Sequence, residues 1–198
     1  MTNYKINNKK QKTIYKKKIS PLRKKIAIIG FRGIGKTSIS KILSEAWGIP
    51  LISLDDYIEE QEKMTIEEIV KKKGWNYFRK LELRYLEDIA KDEKACLLDT
   101  GGGIVEGEDF DFSDEKTKIL RENYFIVYIH METEKIIDRI SKLNYNSQRP
   151  KISSSEEQLL EIIKRRKPWY QKIAHAIVDI TDTKISESAQ RVIELLKK

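Results

Sequence analysis

The chain has 198 residues, 39% hydrophobic and 35% charged, enough for one buried core and without the run of about eighteen apolar residues that a membrane helix needs. Its net charge of +8 divides unevenly: residues 1–25 hold nine Lys, Arg23 and no acid, +10, whereas residues 26–198 hold 29 Lys and Arg against 31 Asp and Glu, −2. A basic excess confined to a tail argues against a nucleic-acid-binding domain, and a single cysteine, Cys96, excludes an internal disulfide framework or a cysteine-rich zinc site and fits a reducing cytoplasm.

Met1 to about Lys25 is rich in Lys, Asn and Thr and buries little apolar area, so it is expected to be mostly disordered; it lacks the apolar stretch of a secretory signal. From there short apolar runs alternate with helical patterns, as in stacked βαβ units. Ile26–Ile29 reads as a buried parallel strand ending in a glycine-rich turn. Ile39, Ile42, Leu43, Ala46 and Trp47 follow at helical spacing, until Gly48 and Pro50 stop the helix. Leu51–Ser53 is a second strand. Thr65 and Glu68 form a capping box ahead of Ile66, Ile69 and Val70, and a longer helix carries Phe78, Leu81, Tyr85 and Ile89. Ala95–Leu98 is the third strand and runs into Gly101–Gly103. Phe125–Ile129 is the fourth, continued by a helix over Ile136–Leu143. Ser154 and Glu157 cap a helix reaching about Arg166, Ala176–Ile180 is the fifth strand, and Ala189, Val192, Ile193 and Leu196 mark a final helix.

Gly30-Phe31-Arg32-Gly33-Ile34-Gly35-Lys36-Thr37 fits G-x-x-x-x-G-K-[ST], between a strand and an amphipathic helix. Glycines permit the positive φ of a loop that wraps a phosphate in its own N–H groups, and the helix beginning near Lys36 adds its positive dipole end. Lys36 can reach the β- and γ-phosphates, and the Thr37 hydroxyl can ligate Mg²⁺. A plain glycine turn with a surface lysine would not need this strand-and-helix context. The pattern predicts a nucleoside triphosphate site.

The acceptor side is spread over four later segments. Asp55 follows the second strand, beyond whose carboxyl end ligands bind in open α/β sheets. Arg79 and Glu82 stand at i, i+3 on one helix, so the carboxylate can hold the guanidinium. Gly101, Gly102 and Gly103 let a ligand approach the backbone closely. Arg149-Pro150 lies in the polar stretch Asn144–Ser155, which can close as a lid, and Arg166-Lys167-Pro168-Trp169-Tyr170 ends the following helix. Taken singly, Asp55 or Asp56 can be a helix cap, Arg79–Glu82 a surface pair, the glycines a tight turn, and Arg149 and Arg166 surface cations.

Their order and spacing together resemble the shikimate kinases, small P-loop kinases of the nucleoside-monophosphate-kinase fold, over roughly Lys25 to Lys198. The matching pieces are the loop Gly30–Thr37, Asp55 after strand two, F-R-x-x-E at Phe78–Glu82, T-G-G-G at Thr100–Gly103, R-P at Arg149–Pro150 and R-x-P-x-Y at Arg166–Tyr170, with Met64–Gly74 similar to the family's substrate-domain helix. The resemblance implies a three-layer α/β P-loop NTPase fold. Its parallel sheet would have five strands in the order 2-3-1-4-5, with helices on both faces and a small lid over about 144–155.

It also implies ATP-dependent phosphorylation of shikimate, with Mg²⁺, by a cytoplasmic monomer. Gly30, Arg32, Gly33, Ile34, Gly35, Lys36, Thr37 and Ser38 would hold ATP, with Lys142 as the adenine-facing cation. Asp55 would meet the acceptor hydroxyl as general base, Arg79 and Arg166 would hold the acceptor carboxylate, and Glu82 would orient Arg79. Gly101–Gly103 would lie against the ring, and Arg149 would swing in with the lid to neutralise the transferring phosphoryl group.

Two departures from the family pattern stand out. Ser53 occupies a position where the family usually has a metal-side Asp. Asp99, where the family commonly has a small residue, can supply that carboxylate beside Thr37. Gly107–Phe112 reads as a short insertion beside the acceptor pocket. A kinase for another small polyol acid such as gluconate is the alternative enzyme, but gluconate kinases lack the combination of Arg79, the glycine triplet and Arg166. A nucleotide-dependent RNA-binding or regulatory module using the basic tail is the non-enzymatic alternative. It would show salt-sensitive nucleic-acid affinity.

Overall fold

Ile26–Ile29 are all fully buried, although successive strand side chains point to opposite faces, so both faces of this strand are covered. They belong to β1 (Lys25–Ile29), at the centre of a five-stranded parallel sheet. The computed structural model describes residues 25–143 and 153–197. The strands are completed by β2 (Leu51–Ser53), β3 (Cys96–Asp99), β4 (Phe125–His130) and β5 (Ala176–Asp179), in the order β2-β3-β1-β4-β5. That is the order expected from the resemblance.

Seven α-helices are described: α1 (Lys36–Trp47), α2 (Leu54–Glu62), α3 (Ile66–Lys91), α4 (Asp114–Asn123), α5 (Thr133–Leu143), α6 (Glu156–Ile173) and α7 (Ile185–Leu195). Several starts follow directly from side-chain chemistry. Thr65 and Glu68 make both halves of the capping box on α3, with the Glu68 N–H donating to Thr65 Oγ1 at 3.2 Å and the Thr65 N–H to Glu68 Oε2 at 2.9 Å. The two helices read separately in the sequence are continuous across a kink at Gly74, whose φ of 82° and ψ of 169° only glycine adopts readily.

Two local readings are corrected, and the capping alternative for Asp55 and Asp56 is removed. Neither Asp55 nor Asp56 caps α2; Ser53 does, its Oγ accepting the Asp56 N–H at 3.2 Å. The cap of α6 is Ser155 rather than Ser154, with Oγ accepting the Gln158 N–H at 3.3 Å. That helix does not end near Arg166 but runs through Pro168 to Ile173, because Leu159, Ile163, Tyr170 and Ile173 keep one buried stripe on both sides of the proline. The insertion Gly107–Phe112 holds a 3₁₀ turn at Glu108–Phe110, closed by a bridge between Glu106 and Phe112.

Register places the site. In the parallel pairing of β2 with β3, Ser53 is level with Asp99, and in that of β3 with β1, Asp99 is level with Ile28. The carboxyl ends of β1, β2 and β3 therefore finish side by side, each feeding a loop or helix start that faces one cleft.

Candidate active site

Gly30 and Gly35 lie at φ of 144° and 105°, and Gly35 is the last residue before α1. A Cβ on Gly30 would come within 2.5 Å of the Ile129 carbonyl oxygen, so the loop leaves β1 through a gap that only glycine fits. The loop surrounds a cavity lined by Arg32, Gly33, Gly35, Lys36, Thr37 and Ser38 on one side and by Ser53, Asp55, Asp99, Thr100, Gly101 and Gly102 on the other. Lys36 is buried and donates to the Phe31 carbonyl at 3.0 Å, spanning the loop from the base of the helix. Of the eight loop residues expected around ATP, Arg32, Gly33, Gly35, Lys36, Thr37 and Ser38 line this cavity, and Gly30 and Ile34 do not.

A second pocket adjoins the first and shares Arg32, Asp55, Gly101 and Gly102 with it. Its other walls are Ile66, Trp75 and Phe78 from α3, the side chains of Arg79, Glu82 and Arg166, and Gly103. Each glycine of the triplet is required by a different neighbour. A Cβ on Gly101 would lie 2.6 Å from Asp55 Oδ1, one on Gly102 2.7 Å from the Arg32 backbone N, and one on Gly103 would collide with the Arg79 guanidinium. The Gly102 carbonyl accepts from Arg166 Nη1 at 3.2 Å and from the Tyr170 hydroxyl, which fixes the triplet against α6.

Arg79 and Arg166 are both about 4% exposed. The Arg79 guanidinium lies 5.3 Å from the Trp75 ring centroid and that of Arg166 lies 5.4 Å from the Phe31 centroid, so aromatic faces support both planes. Glu82 Oε2 accepts Arg79 Nη1 at 2.6 Å, the i, i+3 pair read from the sequence, but it also accepts Lys116 Nζ at 2.8 Å. Glu106 Oε2 accepts Nη2 of Arg79 at 3.2 Å and Nη2 of Arg166 at 2.5 Å, while its Oε1 accepts Arg165 Nη2 at 2.7 Å.

Burial pushes the Glu82 carboxyl up, yet Arg79 and Lys116 outweigh it and hold the group below the ordinary carboxylate range. The same balance holds Glu106 down, with Arg166 the strongest counterweight to its burial. Burial drives the Lys116 ammonium down to about 8, against the partial support of Glu82. At neutral pH the cluster Arg79, Arg165, Arg166, Lys116, Glu82 and Glu106 carries two net positive charges beside the second pocket. The Nε–H groups of Arg79 and Arg166 are buried with no hydrogen-bond partner, donors left for an incoming anion.

Glu106, Lys116 and Arg165 carry no motif, and reading the sequence missed them. The one signal was placement: Glu106 follows the glycine triplet by three residues and ends the apolar pair Ile104–Val105. Arg139 was missed as well; its Nη1 donates to the Ile34 carbonyl of the phosphate loop at 2.9 Å. Lys142, expected near the adenine, is 72% exposed and pairs with Asp138 one turn back on α5 at 2.7 Å, because its side chain leaves the helix on the solvent face. Arg149 and Pro150, with most of the expected lid, lie outside the described residues, as does the tail to residue 24.

Two cavities that meet at Asp55, one shaped by a glycine loop for phosphates and one charged to take a small anion, are the working parts of a P-loop phosphotransferase. Comparison with known proteins narrows the class. The sequence model of the shikimate kinase family matches residues 32–197. A shikimate kinase of Dictyoglomus turgidum is 33% identical over 176 residues, 89% of this chain and 99% of the relative. Among solved structures, the shikimate kinase of Acinetobacter baumannii in complex with shikimate shares the fold with a TM-score of 0.76 at 24% identity, covering 87% of this chain and 92% of that one. The shikimate kinase of Aquifex aeolicus aligns with a TM-score of 0.73 at 26% identity, covering 87% and 96%. The chain belongs to the shikimate kinase family.

Proposed function

We propose that this enzyme transfers the γ-phosphoryl group of ATP to the 3-hydroxyl of shikimate, giving shikimate 3-phosphate and ADP. The observation that carries the proposal is the convergence of Arg79 and Arg166, each with an unpartnered buried Nε–H, on a glycine-floored pocket that meets the phosphate cavity at Asp55. Planar guanidiniums on two helices suit a carboxylate. The glycine triplet leaves room for a ring to lie against the backbone, and Asp55, which lines both cavities, would orient the acceptor hydroxyl and take its proton. Phosphoryl transfer leaves the protein chiefly positioning and charge neutralisation. Lys36 would supply neutralisation from the phosphate loop and Arg149 from the lid.

Mg²⁺ fits the residues present. Thr37 and Asp99 face the same cavity with hard oxygen atoms, and Asp99 stands at the end of β3 beside Ser53. Among the described residues no group of three or more acidic, His or Cys side chains could cage a metal. That suits an ion bound by one carboxylate, one hydroxyl and substrate phosphates. Bound there, Mg²⁺ would neutralise charge on the β- and γ-phosphates. We also read the enzyme as a monomer and place the reaction in the cytoplasm, where the buried Cys96 stays a thiol.

ADP release measured with shikimate, gluconate and quinate as acceptors tests the proposal. Shikimate is expected to stimulate turnover strongly and gluconate not at all; equal stimulation by gluconate would replace the acceptor.

A further inference from the structure

Behind the two clamp arginines lies an anion that no acceptor can reach. Glu106 is completely buried and is not part of the pocket wall, yet one of its oxygens, Oε2, accepts from both Arg79 and Arg166. The two guanidiniums come from α3 and α6 and carry like charges at close quarters, an arrangement that repels strongly away from water. Its other oxygen, Oε1, is held by Arg165. The backbone of Glu106 is fixed too, since its N–H donates to the Gly103 carbonyl at 2.8 Å. The glycine floor and the arginine spacing are thus set by one short segment.

We infer that Glu106 is the positioning residue of the acceptor clamp: it spaces Arg79 and Arg166 and leaves their Nε–H groups free for a carboxylate, while Arg165 stops the Glu106 carboxylate from rotating. The inference rests on the acceptor reading given above. It differs in sign from simple electrostatics. Removing a negative charge behind an anion site raises its positive potential, so by charge alone the acceptor would bind more tightly to Glu106→Gln. If Glu106 acts by geometry, the acceptor binds more weakly although the site has become more positive.

The test is steady-state kinetics of Glu106→Gln, Glu106→Asp and Arg165→Ala beside the wild type, with shikimate and ATP varied in turn. Glu106→Gln should raise the shikimate KM about tenfold or more, the scale of a lost charged hydrogen bond, and leave the ATP KM within about twofold. Glu106→Asp keeps the charge but is one methylene too short to hold both arginines, so it should resemble the Gln variant rather than the wild type. Arg165 is 36% exposed and outside the pocket wall, so Arg165→Ala remains informative where a Glu106 variant does not fold; it should raise the shikimate KM by about threefold, with ATP unaffected. An unchanged or lower shikimate KM in the folded variants overturns the role of Glu106 alone. Absence of shikimate-dependent ADP release in the wild type overturns the acceptor reading and this inference with it.

Discussion

Asp55 sits in the first turn of α2, half-buried, with Ser53 capping the helix and the Gly101 backbone pressed against its carboxylate. That packing fixes where the oxygens point, which is what a general base needs before its pKa matters. Asp55→Asn keeps the shape and removes the basicity. It should lower turnover by about 10²–10⁴-fold with ATP affinity intact, and a variant retaining more than about a tenth of wild-type turnover would remove the base role. Lys116 offers a pH test. Its ammonium is depressed to about 8 from an ordinary 10.5, so in the folded enzyme its proton leaves first, while the unfolded chain still holds one. Over that window the unfolded state binds more protons, and the Lys116 contribution to stability improves as pH rises. Acceptor binding should move the other way, because the cluster loses a positive charge. The shikimate KM should climb above about pH 8 in the wild type and stay flatter in Lys116→Met, and over the same range the urea-unfolding midpoint should gain more in the wild type than in the variant. The same KM slope in both proteins would exclude Lys116 as the titrating group.

At the scale of elements, what could be read in advance was what local chemistry dictates. The phosphate loop, the capping box on α3, the Arg79–Glu82 pair and the alternation of strand and helix each follow from near neighbours in the chain. The helix bounds that differ from the sequence reading depend on tertiary packing: α6 outlasts its proline because residues on both sides of it reach the core, and α3 continues past Gly74 because Ile66 and Ile69 before it and Phe78 and Leu81 after it are all buried. Glu106, Lys116 and Arg165 look like ordinary surface charges in sequence, and only the fold shows that Glu106 is buried against arginines and Lys116 against Glu82. Strand register supplies a further prediction. Ser53 and Asp99 end adjacent strands level with each other, so a carboxylate on either could serve a metal-bound water. Asp99→Ser should raise the Mg²⁺ concentration giving half-maximal rate. Adding Ser53→Asp should restore much of the loss, since Asp caps α2 as well as Ser does. Failure of the double variant to recover would leave Asp99 a purely structural acceptor.

For the whole molecule, charge and catalysis separate along the chain. Every described residue assigned to the site lies within residues 26–198, whose formal charge is −2, whereas residues 1–25 carry +10. Deleting residues 2–24 should therefore leave shikimate turnover and nucleotide affinity within about twofold; a large loss of either would tie the tail to the site. The most direct measurement of the central claim is the identity of the product. With ATP and shikimate, phosphorus-coupled proton NMR should show one new phosphate ester, with the coupling on the proton at C3, appearing in step with ADP. Phosphate on another hydroxyl, or ADP accompanied only by free phosphate, would contradict the acceptor geometry built from Asp55, Arg79 and Arg166.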